Sequence, residues 1–347
     1  MKINDREIVI LLSYKHKCLT ILLVWLTFNF LSQNALAQHN TKEPIVHDPV
    51  MIKQGNTYYV FCTGWGIDML SSPDMINWKR EKSVFPKPPE WATRQIKEFK
   101  GHIWAPDVSF HNGMYYLFYS VSAFAKNTSC IGLVTNKTLD PNDPGYKWTD
   151  HGEVVKSVPG RDMWNAIDPN LAIDENGIPW LVFGSFWDGI KLVKLSQDFK
   201  TIAKPEEWYT LCSRPRTFEL EDRNPGDGAV EAPFIFKKDS LYYLFVSFDY
   251  CCRGVKSDYK IMVGRSKSIT GPYLDKDGKR MDQGGGSLVL KGNENYPGLG
   301  HNSAYTIDGK DYLVFHAYDS KDDGKPKLII KELGWDSKCW PDVKLEK

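Results

Sequence analysis

The chain has 347 residues with 44 basic and 43 acidic side chains and 42% hydrophobic residues, enough for one large or two ordinary domains. A balance this close to neutral gives no footing for nucleic acid or an anionic membrane surface as partner. The cysteines show no C-x-x-C spacing, which argues against zinc or a redox motif.

The first element in chain order is set apart from the fold. Lys15 and Lys17, an apolar run from Leu19 to Leu31, and then Ala35-Leu36-Ala37 form the three regions of an export signal with an A-x-A cleavage site. The apolar run is too short and interrupted to span a bilayer. Residues 1–37 are therefore expected to be a signal peptide, and the protein periplasmic or extracellular. Cleavage removes Lys2, Arg6, Lys15 and Lys17 with Asp5 and Glu7, leaving 310 residues with a net charge of −1. Cys18 leaves too, and the pairing of Cys62, Cys130, Cys212, Cys251, Cys252 and Cys339 stays open. Asn127 and Asn136 stand in N-x-[ST] patterns, which are acceptors only in a glycosylating host.

The rest of the chain is one motif written five times, at 47–64, 104–122, 167–186, 231–249 and 301–319. Each copy has a polar opening, a short apolar strand, a turn such as "HNGM" or "DENG", and an aromatic strand such as "MYYLFYSVS". Turn chemistry and pleat-compatible residues of this kind make hairpins. Pro49, Pro106, Pro169 and Pro233 align, with Ser303 taking that column in the fifth copy, at spacings of 57, 63, 64 and 70 residues. A third strand follows most copies, as in "CIGLVTNK" and "KIMVGRSK". Such units cannot bury both faces alone, but arranged radially they can. The pattern predicts an all-β five-bladed β-propeller filling residues 38–347 as a single domain. A sandwich or jelly roll would lack so long a repeat.

In a propeller the first strand of each blade lines the channel, so the openings converge. One residue before the Pro column stand Asp48, Ala105, Asp168, Ala232 and Asn302; two before it stand His47, Trp104, Ile167, Glu231 and His301. Asp107, one past the column, is expected on the other side of its strand in a structural role. Three carboxylates around one space are costly unless used or paired. Crowding pushes their pKa values apart, leaving a protonated acid beside an ionised base, the equipment of glycoside hydrolysis. Trp65, Trp104, Phe124, Trp164 and Trp187 lie near the same strand ends, where flat rings can stack on sugar faces, and Asn165, Ser185 and Gly132 could bind hydroxyls.

"HDP", "WAPD", "NAIDPN…GSFW", "EAPFIF…VSFDYCCRG" and "GHNSAY" together resemble the endo-α-1,5-L-arabinanases of glycoside hydrolase family 43, over about residues 44–335. The resemblance implies an inverting hydrolase of α-1,5-linked arabinan with Asp48 as general base, Glu231 as general acid, and Asp168 as the auxiliary acid that tunes and orients Glu231. It implies substrate contacts from Asp48, Asn165, Ala166, Ile167, Asp168, Ser185, Phe186 and Trp187, with Trp104, Phe124 and Gly132 nearby. It also implies a metal, usually calcium, on the channel axis through His301 and waters, a ligand set the residues alone would not suggest. Arabinan or its oligosaccharides would be the partner of a monomer that binds neither nucleic acid nor membrane. No sequence beyond Lys347 supplies the β-sandwich that family xylosidases often add, which favours arabinanase. Two other readings compete: an exo-acting arabinofuranosidase or xylosidase, and a sugar-binding propeller without catalysis. The W-x-N-D-P-N-G opening of the related retaining fructosidases is missing from "IVHDPV".

Overall fold

The computed structural model describes residues 41–216 and 226–345; the expected signal peptide lies outside the described residues. The fold is the five-bladed β-propeller that the repeat predicts. Blade one is β1 (Val50–Gln54), β2 (Thr57–Cys62), β4 (Asp68–Ser72) and β5 (Lys79–Arg80). Blade two is β6 (His102–His111), β7 (Met114–Val121), β8 (Ser129–Asn136) and β9 (Thr149–Ser157), extended by β3 (Gly64–Trp65), which pairs with β6. Blade three is β10 (Asn170–Ile173), β11 (Pro179–Phe183), β12 (Ile190–Lys194) and β13 (Trp208–Cys212). Blade four is β14 (Val230–Lys238), β15 (Leu241–Phe248), β16 (Lys260–Ser266) and β17 (Ser287–Lys291). Blade five is β18 (Leu299–Ile307), β19 (Lys310–Asp319) and β20 (Lys325–Glu332). A short helix, α1 (Glu90–Gln95), sits in the connection from blade one to blade two. Among the described residues no helix is long and apolar enough to cross a membrane.

The core is five cores, one per blade interface. Successive side chains of a strand point to opposite faces, so each second strand feeds two clusters. On β2, Phe61 faces blade two and Val60 faces blade five. On β7, Leu117 faces blade one and Phe118 faces blade three. β11, β15 and β19 repeat the split with Leu181 and Val182, Leu244 and Phe245, and Val314 and Phe315. This is why the aromatic strands read as nearly continuous apolar runs.

The ring is closed by the segment ahead of β1. Val46 donates its N–H to Pro326 O at 3.1 Å, Leu328 donates to Pro44 O at 3.1 Å, and Ile45 bridges Lys327. Pro44–Val46 thus lie along β20 of the last blade, while Thr41 pairs with Trp78 of the first.

Candidate active site

Three first strands enter through a β-bulge, and in blades one and three Thr63 N–H to His47 O and Gly184 N–H to Ile167 O leave the same two-residue offset ahead of β1 and β10. Trp104 faces Ser120 and Asp107 faces Phe118, so two residues of β6 stand against one of β7; Glu231/Phe234 and Gly300/Ser303 repeat this on β14 and β18. The first bulge residue is left-handed in every blade: Asp48 (φ 55°), Ala105 (42°), Asp168 (57°), Ala232 (55°) and His301 (52°). Non-glycine residues hold such backbone only where the surroundings over-determine it, typically at functional sites. A bulge also re-aims side chains and leaves its extra residue unpaired. The Pro column is that unpaired position, where a missing N–H costs nothing.

The register corrects the sequence alignment of the fifth blade by one residue. Asn302, not Ser303, takes the Pro position, and His301, not Asn302, takes the column of Asp48 and Asp168. Without a Pro in "GHNSAY", the sequence offered no mark to fix that offset.

A side chain from the preceding blade caps the N–H of the left-handed residue at four of the five junctions. Thr63 Oγ1 accepts from Ala105, Ser120 Oγ from Asp168, Ser247 Oγ from His301, and His316 Nδ1 from Asp48, at 2.8–3.2 Å. At the junction of blades three and four the equivalent residue is Gly184, which has no side chain to offer; a Cβ there would lie 2.6 Å from Gly189 O. Asp168 fills the gap with its own carboxylate: Ala232 donates its N–H to Asp168 Oδ2 at 3.0 Å. Asp168 is thereby tied to the residue next to Glu231.

The three carboxylates and His301 share one electrostatic neighbourhood. Asp48 is buried. His47 Nδ1 and His301 Nδ1 lie 2.7 Å and 2.9 Å from its Oδ1, and Thr63 donates to its Oδ2 at 2.5 Å. Burial alone would raise its pKa, but His301 and His47 hold it well below the usual carboxylate range. Burial pushes Glu231 up, against hydrogen bonds donated by Ser185 at 2.8 Å and Tyr259 at 2.9 Å; Asp48 adds to the rise. Asp168 is driven up by burial, with Glu231 and Asp48 adding against the opposing His301. His301 rises to about 9, because Asp48 and Asp168 outweigh its burial. Crowded acids cannot all ionise, so the site holds an ionised Asp48 opposite a pair that retains a proton.

The other expected site residues fall into distinct places. Ser185 touches Glu231 directly. Asn165 is buried, accepting from Ser129 Oγ at 2.6 Å. Ala166, Ile167 and Trp187 are also buried, and Phe186 packs near Tyr250. Trp104 donates its ring N–H to His102 Nδ1 at 2.9 Å, while Phe124 is 79% exposed just past the end of β7. Gly132 lies on the third strand of blade two, where a Cβ would meet Tyr119 and Trp91. Trp164 stacks on Trp208 at the interface of blades two and three, serving the core. Asp107 accepts from Asn170 and from Leu171 N–H on the next blade. Asn127 and Asn136 are both buried, which closes them to glycosylation. Sequence reasoning missed Tyr259, His316 and Tyr318, which come from a loop and a second strand, and the Cys251–Cys252 disulfide. Only the adjacent cysteines carried a signal. Among the described residues, ligand atoms of His47, Asp48 and His316 lie within 4.8 Å of one another, a spacing that could hold a metal ion at Asp48 itself.

Comparison with known proteins agrees with this architecture. The profile of the glycosyl hydrolases family 43 matches residues 41–341. The extracellular exo-α-(1→5)-L-arabinofuranosidase ArbA of Cellvibrio japonicus is 53% identical, over 87% of this chain and 87% of its own. The extracellular endo-α-(1→5)-L-arabinanase 1 of Bacillus subtilis is 45% identical, over 86% and 87% respectively. The structure of the Cellvibrio cellulosa α-L-arabinanase complexed with arabinohexaose superposes with a TM-score of 0.86 at 52% identity, covering 87% of this chain and 96% of that one. The chain belongs to glycosyl hydrolase family 43.

Proposed function

We propose that the protein hydrolyses α-1,5-linked L-arabinofuranosyl bonds of arabinan with inversion, cutting within the polymer. The observation that carries this reading is the opposed displacement of acids in one channel, Asp48 down and Glu231 up. Asp48 is the base that takes a proton from the attacking water. Glu231 is the acid that gives its proton to the departing sugar oxygen. Asp48 is gripped by His47, His301 and Thr63, and Glu231 by a separate set, Ser185 and Tyr259. Inversion requires a gap of roughly 6.5–9.5 Å between the two carboxyls to admit the water. Asp168 holds the Glu231 backbone through Ala232 and keeps its proton affinity high. Asn165–Asp168 and Ser185–Trp187 line the sugar, with Trp104 and Phe124 as flat surfaces beside it and Gly132 behind them.

The names of the relatives support arabinan as substrate, and that of ArbA favours a second reading, exo cleavage from chain ends. Debranched arabinan separates the two: endo cleavage drops viscosity early for few new reducing ends, and exo cleavage does not. Early proton NMR should show the β-anomer first from the α-linked chain. First appearance of the α-anomer would sink the mechanism.

The names of the extracellular relatives support residues 1–37 as an export signal for an enzyme of the periplasm or medium, which on this reading acts as a monomer. For calcium, the fit rests on His301. Its Nδ1 is turned to Asp48, so a cation on the axis would be met through Nε2, which must give up its proton to serve as a ligand, with waters completing the shell. Bound there, calcium would supply a fixed positive charge beside the carboxylates. Chelation should lower the melting temperature of the wild type, because a ligand of the native state alone stabilises it by mass action. The His301→Ala variant should show no such response, and elemental analysis finding no metal in active protein ends the idea.

A further inference from the structure

The loop after β15 carries a disulfide between adjacent cysteines, Cys251 and Cys252. Cys252 is held left-handed, at φ 65°, a conformation costing a non-glycine residue about 1–2 kcal/mol. The vicinal bridge closes a small ring that holds the turn there. It points the Cys252 N–H at Tyr318 Oη, 2.7 Å away. Tyr318 Oη is in turn 2.7 Å from His47 Nε2, and His47 Nδ1 is 2.7 Å from Asp48 Oδ1.

One set of proton directions serves Asp48. A backbone N–H only donates, so Tyr318 Oη accepts from Cys252, and in this arrangement its own proton goes to His47 Nε2. That nitrogen is then the acceptor, and the proton of a neutral His47 sits on Nδ1, aimed at Asp48. The ring is fixed in its plane as well, stacked on the buried His316 with centroids 3.9 Å apart. Tyr318 is itself buried, so water does not compete for its hydroxyl.

We propose that Tyr318 and His47 are positioning residues for the base, forming with the Cys251–Cys252 turn a strut that holds the Asp48 carboxylate in line with the attacking water. The strut rests on the reading of Asp48 as base. It acts on turnover and leaves substrate binding alone, because none of its atoms beyond Asp48 belongs to the sugar-lining set. A displacement of about 1 Å can cost about a hundredfold in rate.

The test is a set of steady-state kinetics on arabino-oligosaccharide, with folding checked by circular dichroism. Tyr318→Phe, which removes one oxygen, should lower kcat about tenfold or more with KM within about twofold. His47→Asn, whose amide can donate from near the Nδ1 position, should keep more activity than His47→Leu. In the His47→Leu background Tyr318→Phe should cost little more, since contacts in one chain are not additive. Dithiothreitol offers a measurement without mutation. It passes two electrons and two protons to the S–S bond, giving two thiols and its own cyclic disulfide, and should lower the kcat of the wild type and not that of Tyr318→Phe. Wild-type kcat in Tyr318→Phe, or equal losses in both His47 backgrounds, overturns the strut. Asp48→Asn retaining activity would instead overturn the base assignment, and the strut with it.

Discussion

Replacing Glu231 by Gln keeps the volume of the side chain and its contacts with Ser185 and Tyr259 while removing the transferable proton. Turnover on arabinan should fall about 100- to 10,000-fold, the usual share of a general acid, with oligosaccharide binding by calorimetry nearly unchanged; Asp48→Asn should do the same. Asp168→Asn tests a different property. Burial first, with the Asp48 charge adding, holds Glu231 above its ordinary pKa. Asp168 and Glu231 are buried together and share the charge of a pair that keeps a proton; removing the share that Asp168 carries lets Glu231 ionise at lower pH, so the basic limb of the kcat profile should move down. A limb that stays in place with most activity kept would show that Asp168 does not tune the acid. The carboxylates were legible in the sequence because three acids stood in register across a repeat. Tyr259 and Tyr318 were not, because nothing in "SDYK" or "HAYD" separates a tyrosine facing the channel from one in the core. His301 was found by type but misplaced by one column, since its bulge carries Asn where the others carry Pro.

Bulges set the geometry at the scale of the strand, and a second row of interblade links lies just behind them. Asp107 accepts from Asn170 Nδ2 at 3.1 Å and Leu171 N–H at 2.8 Å, and Asn170 Oδ1 accepts from Ile235 N–H at 2.9 Å. One chain of hydrogen bonds therefore joins β6, β10 and β14. The alternation of the strand had already turned Asp107 away from the channel, so this role was readable, though its partners were not. Burial raises the pKa of Asp107 from 3.8 to about 6 against the two donors. The folded state thus holds this proton more tightly than the unfolded chain. The linked stability is complete below pH 3.8 and lost as pH rises through about 6, a change of up to about 3 kcal/mol. Asn cannot ionise, so Asp107→Asn should gain on the wild type across that window in urea unfolding at a series of pH values. A stability difference that stays constant with pH would contradict the account.

Closure is a property of the whole ring, and it reaches Asp48 directly. Four interfaces join blades consecutive in sequence, but the fifth joins the two ends of the propeller. It is held by the cluster of Met51, Val60, Val314 and Leu328, by the Asp48 N–H on His316, and by the Pro44–Val46 segment along β20. The repeat made the blade count legible; the closure was not, because "EPIV" precedes the first motif and carries no strand signal of its own. Deleting residues 38–45 removes the carbonyl of Pro44 and frees the start of β1, while leaving His47 and Asp48 in the chain. Each backbone hydrogen bond lost costs about 0.5–1.5 kcal/mol, so the melting temperature should fall by a few degrees. The loss should also be local, since proteins open first where contacts are fewest. In hydrogen exchange, the amide of Asp48, bonded across the closure to His316, should exchange faster. The amide of Asp168, bonded to Ser120 at a junction within the chain, should keep its protection. Equal acceleration at both amides would mean that the ring opens as one cooperative unit and that the terminal segment is no special latch. Protection retained at Asp48 would mean that the apolar interface alone closes the propeller.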